Sequence, residues 1–94
     1  MPLERLVFRI HAIRRMLERN IPTDEVKEIL RTGKVIENYP HDKPYPSYLI
    51  LGRLLHRPIH VVAADNTPDG ETVVITVYEP DLTQWDSKFE RRKR

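Results

Sequence analysis

The 94-residue chain has no cysteine, only three glycines, and aromatic residues at just 7% of positions. Without cysteine there is no disulfide framework, no thiolate metal site and no cysteine nucleophile. Three scattered glycines form no glycine-rich loop for phosphate binding. No apolar run approaches the ~20 residues of a membrane-spanning helix, and the first residues lack the apolar core of a signal peptide. These absences favour a cytoplasmic protein that does not contact a membrane.

The remaining composition is that of a small globular domain, with 39% hydrophobic and 32% charged residues. Charge is unevenly distributed: residues 1–34 carry a net +3, residues 35–87 a net −5, and residues 88–94 a net +4. Such asymmetry fits an anionic ligand on one side and a charged partner on another. We expect one domain over residues 1–87 and a basic C-terminal tail over residues 88–94 that has little reason to fold alone.

The first third of the chain predicts two helices. A short strand around Leu6–Arg9 leads into a helix that ends at Asn20, a residue that tolerates the left-handed conformation. A second helix over residues 24–32 begins after Thr23, a good N-cap, and stops at Gly33.

The rest of the chain predicts four strands. A proline-rich loop over residues 40–46 separates the first two, and turns at residues 56–58 and 66–70 separate the others. The third strand is apolar on both faces and is expected at the centre of the sheet. This order predicts an α+β fold, with two N-terminal helices packed on one face of an antiparallel sheet of about four strands. The predicted strands are Lys34–Tyr39, Ser47–Leu55, Ile59–Ala64 and Thr72–Tyr78.

The first helix has two contrasting sides. Its apolar side is expected to pack on the sheet through residues such as Val62 and Ile75. On its polar side, His11, Arg15 and Arg19 follow one another at intervals of four residues. This side could grip phosphates beside a titratable imidazole, or it could simply be a solvated helix face. The apolar side comprises Ala12, Ile13, Met16 and Leu17, and the polar side His11, Arg14, Arg15, Glu18 and Arg19.

His60 interrupts an otherwise apolar strand. A simple hairpin around residues 66–69 would place it opposite Ile75 or Thr76, with Tyr78 on a diagonal in the Thr76 register. It is then either a core histidine, satisfied by Thr76 or Tyr78, or part of a catalytic site near the basic helix. In that second case one group deprotonates the 2′-hydroxyl of RNA, another protonates the leaving oxygen, and arginines stabilise the phosphate without a metal.

Other side chains suggest RNA binding more than metal binding. The four histidines have no zinc-like spacing, and only His41 and Asp42 in the proline-rich loop offer an adjacent pair. We therefore expect no metal site and no cofactor. Aromatic rings can stack on the bases of single-stranded RNA, and the rings available for this are Tyr39, Tyr45, Tyr48 and Trp85.

An ordered set of segments from about Phe8 to Trp85 resembles the DUF4258 family, a domain family of unknown function found in bacteria and archaea. Family members often carry Ser or Thr just before the histidine, where this chain has Arg9-Ile10, and a glycine where it has Asn20. The matching segments are His11-Ala12, Met16, Glu18-Arg19-Asn20-Ile21, Tyr39, Leu51-Gly52, Pro58-Ile59-His60-Val61-Val62 and Ile75-Thr76-Val77-Tyr78-Glu79-Pro80.

The resemblance implies a fold and a biological setting. The family is similar to small RelE-like and BrnT-like toxins, in which a helical pair packs on an antiparallel sheet. Members are often encoded beside zinc-finger, helix-turn-helix proteins that look like antitoxins. By this analogy the chain would cleave RNA until an antitoxin covers it. The positions that the resemblance carries over are His11, Arg15, Arg19, His60 and Tyr78.

The main hypothesis is a toxin of a type II toxin–antitoxin system that acts on mRNA as a metal-independent ribonuclease. Its partners would be an antitoxin and single-stranded RNA. The alternative is a non-catalytic module that binds RNA or another protein. Convergence of the predicted site residues in one cleft would favour catalysis, and their dispersal would favour the alternative. The predicted catalytic residues are His11, His60 and Tyr78, and the predicted substrate-binding residues are Arg14, Arg15 and Arg19.

Overall fold

A computed structural model describes residues 4–93 of the protein. It contains two helices and five strands in an α+β arrangement. Neither helix in this part of the chain has the length and hydropathy that a membrane-spanning helix needs. The elements are β1 (Leu6–Phe8), α1 (Ile10–Arg19), α2 (Thr23–Thr32), β2 (Lys34–Tyr39), β3 (Ser47–Leu54), β4 (Arg57–Asn66) and β5 (Glu71–Tyr78).

The strands form one mixed sheet in the order β1-β5-β4-β3-β2. The prediction of an antiparallel sheet of about four strands is therefore wrong: the sheet has five strands, and one neighbouring pair is parallel. The short first strand joins the sheet edge parallel to β5, with Leu6 beside Thr72 and Phe8 beside Val74. The remaining neighbours are antiparallel, and β4 occupies the centre as its two apolar faces predict.

Both helices lie on the same face of the sheet. α1 contacts β5, and α2 contacts β3 and β4. Two glycines permit this close packing. A Cβ at Gly33 would lie 2.5 Å from the Ile29 carbonyl oxygen, and a Cβ at Gly52 would lie 2.6 Å from the Ile29 side chain. The core between the layers contains Ala12, Met16, Ile21, Val26, Ile29, Leu30, Ile50, Ile59, Val61, Ala63, Val74 and Val77.

The prediction that four apolar residues of α1 pack on the sheet is correct for two of them. Ala12 and Met16 are buried, but Ile13 and Leu17 are 42% and 75% exposed. A ten-residue helix lying over a single strand needs only a narrow contact stripe, so the adjacent apolar positions stay in water. The predicted sheet partners differ as well, since Val74 and Val77 share this core and Val62 does not.

Asn20 ends α1 and Pro22 precedes the first residue of α2. Asn20 caps α1 in the left-handed region at φ 56° and ψ 49°, as predicted. Thr23 is not the N-cap of α2; it is the first helical residue and Pro22 precedes it as the cap, without a side-chain hydrogen bond. Proline at that point fixes φ and lacks an N–H.

Two turns set the register of the central strands. The β3–β4 turn lies at Leu55-His56, with Leu55 at φ 58°, so Arg57 and Pro58 belong to β4 and not to the predicted turn. Between β4 and β5 the register shifts after Val62, which pairs with Thr76, whereas the next residue pairs with Val74. This bulge places His60 directly opposite Tyr78, and the predicted pairing with Ile75 or Thr76 is wrong.

Residues 81–93 form a C-terminal strap over the other face of the sheet. Trp85 is 1% exposed and pairs with Arg92 in an isolated antiparallel bridge. The Asp86 carboxylate accepts backbone N–H groups from Lys88 and Glu90 at 3.2 and 3.1 Å. Phe89, Glu90 and Arg92 belong to the segment that was expected to be a basic tail with little reason to fold alone, and they contact His60, Lys34 and Glu37 of the sheet.

Candidate functional site

His60 lies on the sheet face that the helices do not cover. Its neighbours Ile59 and Val61 both belong to the core beneath the helices. Because successive side chains of a strand point to opposite faces, His60 points to the face that the C-terminal strap covers. Tyr78, directly opposite on β5, points the same way.

Every polar atom of the His60 ring has a partner. Its Nε2 lies 2.8 Å from the Phe89 carbonyl oxygen and its Nδ1 lies 3.1 Å from the Tyr78 hydroxyl. A carbonyl oxygen can only accept, so Nε2 carries the proton and the Tyr78 hydroxyl donates to Nδ1. The Trp85 ring packs edge-on against the imidazole, with centroids 4.4 Å apart. His60 is fully buried, and it therefore meets the expectation of a hydrogen-bonded core histidine.

Burial shifts the proton affinities of this pair in opposite directions. Loss of hydration lowers the pKa of the His60 imidazole below its ordinary value of 6.5. The same desolvation raises the pKa of Tyr78 to about 12. At neutral pH His60 is thus neutral and Tyr78 keeps its proton, so this pair presents a phenol donor held by an imidazole acceptor.

Three further side chains on this face extend the pair toward solvent. The Tyr39 hydroxyl donates to Glu37 Oε2 over 2.6 Å, because the two residues share one face of β2. Arg92 Nε of the strap lies 3.4 Å from Glu37 Oε1. The guanidinium also stacks on the Trp85 ring at 4.6 Å from its centroid. Burial and the Glu37 contact raise the pKa of the Tyr39 phenol, and the Tyr39 contact raises the pKa of Arg92.

We call these five side chains the acid–base cluster: Glu37, Tyr39, His60, Tyr78 and Arg92. The side chains of Glu37 and Arg92 are 27% and 55% exposed, so this end of the cluster is accessible to solvent. His60, at the other end, is fully buried. It combines a carboxylate that can accept a proton, two phenols that can donate one, and a cation that can hold a phosphate.

Sequence reasoning identified His60 and Tyr78 but missed Glu37 and Arg92. The sequence pattern could have indicated Glu37, because strand alternation places it on the same face of β2 as Tyr39. No sequence pattern indicated Arg92, because it belongs to the segment that was expected to be a tail.

The structure does not bring the α1 residues to this cluster. His11, Arg14, Arg15 and Arg19 are exposed on a helix that packs on the opposite face of the sheet. Arg15 lies 3.7 Å from Glu18. The expected convergence of all the predicted site residues therefore does not occur, because the sheet separates the two groups. For a site that includes α1 this dispersal favours the non-catalytic alternative, so a catalytic proposal has to rest on the strap-covered face alone. The RNA-binding role of the α1 cations stays a prediction.

Three of the other candidate groups have structural partners. Trp85 is buried beneath Arg92 and offers no open face for base stacking. The Tyr48 hydroxyl donates to Asp65 over 2.8 Å, and burial together with that carboxylate raises the pKa of Tyr48 well above its ordinary value. Asp42 of the proline-rich loop accepts the Ser47 hydroxyl at 2.6 Å. Across residues 4–93, no three His, Cys, Asp or Glu side chains are grouped so that they could hold a metal ion.

A cavity of about 350 Å³ lies between the end of β2 and the β4–β5 turn. Its walls include Pro40, Pro46 and Tyr48, and Asp65 provides a carboxylate. None of the predicted site residues lines it.

Comparison with known protein families gives one match. The model of DUF4258, a domain of unknown function, matches residues 8–79. The chain belongs to this family. The match covers both helices and all of β2 to β5, so four members of the acid–base cluster lie within the DUF4258 domain and Arg92 lies outside it. Comparisons with curated proteins and with solved structures give no match.

Proposed function

We propose that this DUF4258 domain is a metal-independent ribonuclease that acts on mRNA, as the toxin of a type II toxin–antitoxin system. The observation that carries the proposal is the acid–base cluster, which gathers a carboxylate, two phenols, an imidazole and a guanidinium at one end of the strap-covered face. Cleavage of RNA next to a 2′-hydroxyl needs a base, an acid and a stabilised phosphate, and no other group.

The cluster suggests a role for three of its members, Arg92, Glu37 and Tyr78. The substrate phosphate displaces Glu37 from Arg92, and the guanidinium then holds two phosphate oxygens. The freed Glu37 carboxylate takes the proton of the 2′-hydroxyl as that oxygen bonds to phosphorus. The Tyr78 hydroxyl turns from His60 Nδ1 to the substrate, the bond from phosphorus to the 5′-oxygen breaks, and the phenol donates its proton to that oxygen, which leaves a phenolate that is reprotonated from water. The products are a 2′,3′-cyclic phosphate and a 5′-hydroxyl.

His60 acts as a positioning residue in this scheme. It is fully buried and reaches the substrate only through Tyr78, whose hydroxyl it holds at 3.1 Å. Because the imidazole sits on the rigid central strand, it fixes the phenol within the tolerance that proton transfer requires.

The proposed relationship to RelE-like and BrnT-like toxins draws on two helices packed on one face of a sheet; the sheet itself differs from the antiparallel one that the resemblance implied, because β1 runs parallel to β5. Fold likeness does not by itself imply activity. The antitoxin of this proposal is a zinc-finger or helix-turn-helix protein encoded beside the chain, and the cytoplasm is where it would meet both the toxin and mRNA.

Tightly controlled expression in bacteria tests this function. Wild type should arrest growth, whereas Glu37→Gln and Arg92→Gln should not, because each removes one charge from the cluster. Matched controls are Glu28→Gln and Arg31→Gln, which break an exposed ion pair of 2.9 Å on α2 and should arrest growth like wild type. Arg15→Gln tests whether the α1 cations contribute. A harmless wild type that leaves purified RNA intact would favour the non-catalytic binding module.

A further inference from the structure

α1 presents an apolar stripe to solvent. Ile10, Ile13 and Leu17, here called the α1 stripe, are 69%, 42% and 75% exposed. Their spacing of three and four residues aligns them along one side of the helix, next to the side that Ala12 and Met16 bury against the sheet. From Ile10 to Leu17 the stripe is about 10 Å long at the rise of an α-helix.

The stripe continues into a groove at the end of the helix. A cavity of about 300 Å³ lies where α1 meets its connector to α2, lined by Met16, Leu17, Asn20, Ile21 and Pro22. The left-handed turn at Asn20 forms one wall of this groove. Leu17 belongs to both features, so the stripe and the groove form one continuous apolar surface.

Cations border this surface. Residues 9–19 carry four arginines and one glutamate. Glu18 pairs with Arg15, and within the described part of the chain Arg14 has no carboxylate within 4 Å. Arg14 lies four residues after Ile10 and three before Leu17, so helical spacing places it beside the stripe.

An apolar stripe bordered by arginines fits some binding partners better than others. RNA would satisfy the arginines but would leave three aliphatic side chains against a polar backbone. A second copy of this chain would bury the stripe in a two-fold interface, and that symmetry would bring arginine-rich helices against each other at a cost in like-charge repulsion. An amphipathic helix with an apolar face and acidic flanks matches both the stripe and the arginines.

We propose that the α1 stripe and its groove dock an acidic amphipathic helix of a partner protein. The apolar face of that helix covers Ile10, Ile13 and Leu17, and its acidic side chains pair with Arg14. This surface lies on the opposite side of the sheet from the acid–base cluster, so docking does not require the ribonuclease activity and its test has a separate readout.

The probe is a fluorescein-labelled synthetic peptide of about four helical turns, with leucine at a helical spacing of three and four residues and glutamate on both flanks. Anisotropy should show binding that a scrambled peptide of the same composition does not reproduce. Leu17→Ser and Arg14→Glu should each weaken it by about tenfold or more. Leu82→Ser is the matched control, because Leu82 is 55% exposed outside this surface and should leave binding unchanged.

Four results would overturn the proposal. The scrambled peptide could bind equally well, or Leu82→Ser could weaken binding as much as Leu17→Ser. Sedimentation could show a peptide-free dimer that Leu17→Ser dissociates, which would assign the surface to a second copy. Single-stranded RNA could lose affinity with Leu17→Ser while the peptide does not bind, which would assign it to RNA. RNA cleavage by Leu17→Ser at the wild-type rate would show that the docking surface and the proposed active site are separate.

Discussion

The Tyr78 hydroxyl donates to Nδ1 of His60 across the two central antiparallel strands, over 3.1 Å. The bulge after Val62 makes the two residues direct partners, and the Phe89 carbonyl holds the opposite nitrogen of the ring at 2.8 Å. The phenol proton is thereby directed at a neutral imidazole, and Phe89 adopts the left-handed φ of 60° in the strap that supplies this acceptor. The packing of the strap-covered face and the proposed proton donor therefore depend on the same Tyr78–His60 hydrogen bond.

The buried imidazole predicts a specific pH dependence of stability. Burial lowers the pKa of His60 in the folded state below 6.5, so between the two pKa values the unfolded chain binds a proton that the folded chain does not. The contribution is complete above pH 6.5 and is lost as pH falls below it. Urea unfolding from about pH 7.5 to about pH 5 should show a declining free energy in wild type and a shallower decline in His60→Gln. Equal slopes in both proteins would contradict a buried neutral His60.

The phenol of Tyr78 should matter for both rate and folding, because its hydroxyl is also the partner of the buried His60 Nδ1. Tyr78→Phe removes one hydroxyl and keeps the ring, and in the proposed mechanism it removes the proton donor to the leaving oxygen. Loss of a general acid costs about 10²–10⁴-fold in rate. Single-turnover cleavage of a labelled RNA measures the loss, and circular dichroism checks the fold. Tyr45→Phe is the control, because Tyr45 lies in the proline-rich loop outside the acid–base cluster. A Tyr78→Phe enzyme as fast as wild type would remove Tyr78 from the mechanism.

The two sides of α1 should differ sharply in stability measurements. Met16 is 4% exposed in the core, so Met16→Ala should cost about 2–5 kcal/mol of unfolding free energy. Leu17 follows it directly but is 75% exposed, and Leu17→Ala should change the free energy by about 0.5 kcal/mol or less. Denaturant midpoints of the two variants give the comparison. Equal losses would mean that the α1 stripe is covered within the isolated domain.

The strap should loosen when its internal hydrogen bonds are removed. The Asp86 carboxylate accepts the N–H groups of Lys88, Glu90 and Arg91, and these bonds lower its pKa. Asp86→Ala should speed amide hydrogen exchange across the strap and leave the central strands protected. Because the strap carries Arg92, RNA cleavage should slow in the same variant. Unchanged exchange in the strap would show that its other contacts, among them Trp85 packing and the Phe89–His60 hydrogen bond, hold the segment without Asp86.

The sequence predicted those elements that local chemistry determines. Asn20 ended the first helix, the three prolines between residues 40 and 46 made a loop, and Thr72–Tyr78 formed a strand, each because backbone preferences act over a few residues. The α+β class followed from the order of the elements.

The remaining features depended on contacts between distant parts of the chain. The parallel pairing of Leu6–Phe8 with β5 joins segments more than 60 residues apart, and the bulge after Val62 changes the His60 partner without a recognisable turn signal. The strap was missed because residues 88–94 are strongly basic, although Trp85 and Asp86 anchor the segment before its basic end. Arg92 reaches the cluster only through that anchoring.

Cleavage of RNA by Glu37→Gln tests the central claim most directly. Wild type and this variant are incubated with a labelled single-stranded RNA, and the ends of the products are identified by mass spectrometry. Wild type should yield 2′,3′-cyclic phosphate and 5′-hydroxyl ends, Glu28→Gln should match it, and Glu37→Gln should be slower by about 10²–10⁴-fold. Cleavage by Glu37→Gln at the wild-type rate, or a wild type that yields no such ends, would contradict the acid–base cluster as the active site.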